Sequence, residues 1–70
     1  MMPLTMLGNG DSGVIQRIGG KDDVKKFLSG LGFVTGEEIR IVSSNGGNII
    51  VQVKESRVAV SKNIANKIMV

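Results

Sequence analysis

Residues 38–61 read Glu38-Ile39-Arg40-Ile41-Val42-Ser43-Ser44-Asn45-Gly46-Gly47-Asn48-Ile49-Ile50-Val51-Gln52-Val53-Lys54-Glu55-Ser56-Arg57-Val58-Ala59-Val60-Ser61. Three alternating stretches lie here. Ile39 and Ile41 share one face of the first, Ile49, Val51 and Val53 one face of the second, and Val58 and Val60 one face of the third. A period of two is the pattern of a strand with one buried face. Asn45-Gly46-Gly47-Asn48 is a tight-turn signal, and Lys54-Glu55-Ser56 turns the chain again. The spacing predicts strands over 38–43, 49–53 and 57–61.

On the N-terminal side, Val14-Ile15-Gln16-Arg17-Ile18 reads as one further β-run, ended by Gly19-Gly20. On the C-terminal side, Ser61-Lys62-Asn63-Ile64-Ala65-Asn66 reads as a turn or one helical turn, and Lys67-Ile68-Met69-Val70 as a last short strand. One helix is predicted, over about 22–30. Val24, Phe27, Leu28 and Leu31 fall at i, i+3, i+4 and i+7, while Lys25, Lys26 and Ser29 take the other face. A helix this short is marginal alone in water, so its stripe, Phe27 included, is expected in the core. Asp22 or Asp23 is expected to cap its start, and Gly30 and Gly32 offer left-handed exits at its end.

The prediction is an all-β chain of about five short strands with one short inserted helix. An open sheet of this size leaves a face and two edges bare, and curling into a small barrel covers them. Strands of this length suit an SH3-like barrel. An OB-fold is the alternative, but it usually carries its helix between strands three and four and tends to be longer.

The 70 residues and 7.4 kDa fit one small domain spanning 1–70. Cysteine and histidine are absent. That removes thiolate chemistry, Cys-type zinc and iron–sulfur sites, the usual neutral-pH base and the commonest transition-metal ligand. Phe27 and Phe33 are the only aromatics. An apolar content of 41% with 21% charged residues is that of an ordinary globular chain. The net charge of +3 comes from scattered residues and suits an anionic partner or plain solubility. Met1-Met2-Pro3-Leu4-Thr5-Met6-Leu7 lacks a basic leader region, and no apolar run approaches the ~20 residues of a bilayer span. A cytoplasmic location without membrane insertion is expected.

Three motifs carry possible chemistry. Gly8-Asn9-Gly10-Asp11-Ser12-Gly13 spells G-x-G-x-x-G, but a β-type run comes after it where a phosphate cradle needs a helix, so a turn is expected. Asp22-Asp23 and Glu37-Glu38 are adjacent pairs, which rarely converge on one cation, and no metal site or cofactor is expected from them. No Ser, Thr or Lys sits in a nucleophile–base arrangement, so no enzyme activity is expected. Leu31-Gly32-Phe33-Val34-Thr35-Gly36 leads from the helix into the next strand. Phe33 there has two readings, an exposed anchor beside a glycine corner or a plug closing one barrel end. Leu31, Phe33 and Val34, with Ile50 opposite Ile49 and Val51, are the candidate partner-binding residues.

The order of these pieces resembles the ferrous iron transport protein A family, FeoA. Its pattern is a helix ending in Leu-Gly-Phe/Met, then x-Pro-Gly, then a strand. Here that is Leu28, Leu31-Gly32-Phe33 and Gly36, followed by Ile39, Ile41 and Val42. The opening Gly10, Gly13-Val14 and Ile18 and the close Val51, Val53, Val58-Ala59-Val60, Ala65, Ile68 and Val70 also fit. Thr35 stands where proline is usual, Glu55 where glycine is common and Ser61 where arginine is common. The resemblance implies an SH3-like barrel, a cytoplasmic accessory or adaptor role without catalysis, and a partner, the membrane ferrous iron transporter FeoB with its cytoplasmic GTP-binding domain. Two other readings are open: a small nucleic-acid-binding barrel using Lys54, Arg57, Lys62 and Lys67, and a free-standing regulatory domain related to iron-dependent repressors. A homo-oligomer formed through a strand edge or the apolar corner is a further expectation.

Overall fold

The computed structural model describes residues 1–70. A 3-10 turn, Leu4–Met6, is followed by β1 (Ser12–Val14), β2 (Arg17–Ile18), α1 (Asp22–Gly30), β3 (Glu38–Asn45), β4 (Asn48–Val53), β5 (Ser56–Ser61), α2 (Lys62–Ala65) and β6 (Ile68–Met69). The strands form an antiparallel four-stranded sheet in the order β1-β3-β4-β5 and a two-stranded sheet of β2 and β6. Together they curl into a small SH3-like barrel.

The alternation in β3 to β5 does what its period requires. Ile39 and Ile41 pair with Val53 and Val51, and Ile49 pairs with Val60. All six are buried. Val42 is the extra residue where the β3–β4 register shifts between Ile41 and Ser43, a bulge that bends the sheet toward closure. A second bulge joins the glycine loop to β3. The Gly10 N–H donates to Ile41 O at 2.8 Å and the Ile41 N–H donates to Asp11 O at 2.9 Å, so two residues face one. Gly10, at φ +87°, supplies the left-handed backbone. The G-x-G-x-x-G stretch is thus a turn and a strand edge.

The run expected as one strand over 14–18 is two. The Ile15 N–H donates to Glu37 O, just before β3 of the large sheet, at 2.9 Å, and the next amide, that of Gln16, donates to Met69 O in the small sheet at 2.8 Å. The chain changes sheets between adjacent residues, and that hand-over is the barrel corner. β6 is held on both sides. It pairs with β2 through Ile18 and Ile68, and with the start of the chain through Pro3 and Met69 and two Met2–Val70 hydrogen bonds of 2.8 Å. Gly13 allows this closure, because a Cβ there would lie 3.1 Å from Val70 Cβ.

α1 spans Asp22–Gly30, as its periodicity indicates. Its N-cap differs from expectation. Lys21 holds that position without a side-chain cap bond, and Asp22 and Asp23 lie inside the first turn, where their charge complements the helix dipole. The exit is a Schellman motif. The Phe33 N–H donates to Leu28 O and the Gly32 N–H to Ser29 O, both at 3.0 Å, with Gly32 at φ +101°. Of the two glycines, Gly32 is the left-handed exit, while Gly30 ends the helix.

Candidate functional site

The Schellman exit decides which phenylalanine is available to a partner. It folds Phe33 back over Leu28, and both are fully buried. Phe33 is therefore a core residue, and the expectation of an exposed anchor at this position is corrected. Phe27 moves the other way. The expectation put it in the core, but it lies at one edge of the helical stripe and is 63% exposed. Leu28 carries the burial, and Val24 and Leu31 are half-buried against the core.

A small apolar corner results. Phe27 is flanked on the helix surface by Val24 and Leu31, its i−3 and i+4 neighbours. Gly30, at i+3, has nothing within 4 Å of where a Cβ would stand, so the ground beside the ring is open. Val34 comes next in the connection to β3, half-buried, with its carbonyl accepting from the Glu37 N–H at 3.1 Å. Leu31 and Val34 thus lie in one segment with Phe27. Ile50 lies elsewhere. It sits between Ser43 and Ala59 on the outer face of the sheet, opposite the buried side of β4. Sequence reading missed Phe27. The signal was present, since glycine followed by an apolar residue after a helical stripe is the Schellman pattern that buries Phe33 in place of a stripe-edge residue.

That outer face carries the second feature, a shallow cleft of about 330 Å³ lined by the charged and polar side chains of Glu37, Glu38, Arg40, Gln52, Lys54 and Arg57 and by one apolar residue, Val42. The register sets Arg40, Gln52 and Arg57 side by side across β3, β4 and β5. Gln52 is used at both ends of its amide. It accepts from Arg57 Nε at 3.1 Å and donates to Lys54 O at 3.2 Å. Lys54 Nζ pairs with Glu37 Oε1 at 3.8 Å. The carboxylates of Asp22, Asp23, Glu37 and Glu38 form no cluster of three that converges on a cation. No helix is long and apolar enough to cross a membrane.

Comparison with known proteins places this geometry. Residues 2–70 match the model of the FeoA domain. Over all 70 residues the chain is 26% identical to a Fe(2+) transport protein A of Methanocaldococcus jannaschii, covering 85% of that protein. The structure of FeoA from Stenotrophomonas maltophilia, described as an SH3 domain protein and solved with zinc, superposes with a TM-score of 0.86 at 31% identity, over 99% of this chain and 88% of that one. A manganese-dependent transcriptional repressor contains the same fold in 38% of its chain, with 94% of this chain matched, a TM-score of 0.87 and 20% identity. Matched from residue 2 to residue 70, with the barrel, the Leu31-Gly32-Phe33 helix exit and the Gly36 turn in place, this chain belongs to the FeoA family.

Proposed function

We propose that this protein is a non-catalytic cytoplasmic adaptor. It docks through its α1 corner on the cytoplasmic GTP-binding domain of the membrane ferrous iron transporter FeoB and supports or regulates ferrous iron uptake. Membership of the FeoA family supports the iron-transport setting. A chain without histidine or cysteine is poorly equipped to carry ferrous iron itself. The observation that carries the docking reading is Phe27, a large apolar side chain left 63% exposed in a domain with little core to spare. An exposed aromatic with Leu31 and Val34 beside it has the makeup of an interface anchor.

The test is binding of the purified transporter domain, measured by calorimetry. Phe27→Ala is expected to weaken binding at least tenfold while the fold is retained, as checked by amide NMR shifts. Ile50→Ala, on the other face, is expected to leave binding unchanged. Full affinity in Phe27→Ala would remove the corner from the interface.

A further inference from the structure

We infer that the cleft on the outer face of the four-stranded sheet is a binding site for an acidic peptide segment. Its two arginines are the reason. Arg40 and Arg57 flank Gln52 on neighbouring strands, which puts their Cα atoms about 10 Å apart at the usual strand spacing. The molecule's one ion pair joins Lys54 to Glu37, so neither guanidinium is neutralised by a protein carboxylate. Arg57 is held through Nε by Gln52, which leaves its terminal N–H groups free and limits the freedom lost on binding. Arg40 makes no side-chain hydrogen bond to the protein and offers its whole fork. Guanidinium forks of this kind recognise carboxylates in a bidentate way.

The surroundings choose among anions. Glu37 and Glu38 line the same cleft, so three cations face two carboxylates and the net charge is only +1. A nucleic-acid backbone, with a phosphate at every step, would meet that carboxylate end and be repelled. No exposed aromatic lies in the cleft for a base to stack on. A peptide can place its charges selectively. In an extended segment, acidic side chains at i and i+2 point the same way, about 7 Å apart, within reach of both arginines. Val42 in the lining, with Ile50 and Ala59 the next pair on the same face beyond Gln52 and Arg57, gives an apolar neighbour a surface to cover. This site shares no lining residue with the Phe27 corner, although Glu37 of the cleft is bonded to Val34 of the corner, and it stands whether or not that corner docks.

The experiment is fluorescence anisotropy with the full chain and a fluorescein-labelled octapeptide alternating Glu and Val, at 20 mM and 200 mM salt. The Glu peptide is expected to bind at low salt, and its Gln-for-Glu counterpart to bind at least tenfold more weakly. Arg40→Gln and Arg57→Gln, both exposed and hence fold-neutral, are each expected to weaken binding at least fivefold. Lys62→Gln, which removes the same charge outside the cleft, is expected to change it less than twofold. Equal binding of the two peptides, an equal loss in Lys62→Gln, or tighter binding of a single-stranded oligonucleotide than of the Glu peptide would each overturn the assignment. So would the absence of binding at low salt.

Discussion

Lys54 is the only non-glycine residue with its backbone in the left-handed region, at φ +53°. A side chain there crowds its own carbonyl, at a cost of about 1–2 kcal/mol. The exposed pair it forms with Glu37 offsets little of this, because surface ion pairs contribute about 0–1 kcal/mol. Lys54→Gly is therefore expected to raise stability by about 1 kcal/mol, read as a higher urea midpoint at unchanged slope. The family's frequent glycine at position 55 falls one residue past the strained position in this chain. The two phenylalanines give a sharper contrast. Phe33→Ala leaves a cavity in the core and is expected to destabilise by about 3–5 kcal/mol. Phe27→Ala removes an exposed ring and is expected to change stability by less than about 0.5 kcal/mol. Reversed magnitudes in denaturant melts would show that the burial assignment is wrong. The periodicity could not order these two residues. A stripe of 24, 27, 28 and 31 gives a direction but not its width, and a nine-residue helix on a small barrel buries only the centre of it.

At the level of elements, the legible part of the sequence is the part that a local period encodes. Strands β3 to β5 and helix α1 arise from side chains two or three to four residues apart, which interact whatever the rest of the chain does. The division of residues 12–18 into β1 and β2 is not local. Ile15 and Gln16 differ only in which distant strand accepts their amide protons, and closure of the barrel decides that. The bridge from Pro3 to Met69 and the burial of Leu4 were hidden for the same reason. α2 lies between. Its residues read as a turn or one helical turn, and the helix forms because Ser61 ends β5 and caps the next turn, its Oγ accepting from the Ile64 N–H at 3.3 Å. Ser61 thus has a structural use at a position where the family often has arginine. Ser61→Ala is expected to cost about 1 kcal/mol. For a domain of this size that lowers the thermal midpoint by about 4–8 °C in a far-UV circular dichroism melt, and an unchanged midpoint would show the cap to be idle.

In the molecule as a whole, two sheets share one core. Twelve buried side chains form a single cluster, and it includes Ile39, Ile41, Val51 and Val53 from the large sheet together with Leu4 from the N-terminal 3-10 turn, Ile15 from the hand-over and Ile68 from the small sheet. The small sheet has only two registered pairs, too few to persist alone, so its stability is borrowed through that cluster. A 70-residue domain has about 4–10 kcal/mol of total stability at the usual ~0.05–0.15 kcal/mol per residue. Ile68→Ala, at a fully buried position of β6, is expected to remove about 2–5 kcal/mol, half or so of the whole. The loss is not confined to β6. With no tryptophan or tyrosine to report by fluorescence, the measurement is methyl NMR along a urea series. The Ile68 signal in the parent protein should vanish at the same midpoint as Ile41, and in Ile68→Ala the Ile41 and Ile18 midpoints should fall together by the same amount. A β2–β6 sheet that melts first, leaving Ile41 at its parent midpoint, would mean that the barrel is two weakly joined sheets. The hand-over between Ile15 and Gln16 would then be a hinge, and the barrel would lose the rigidity that docking through α1 requires.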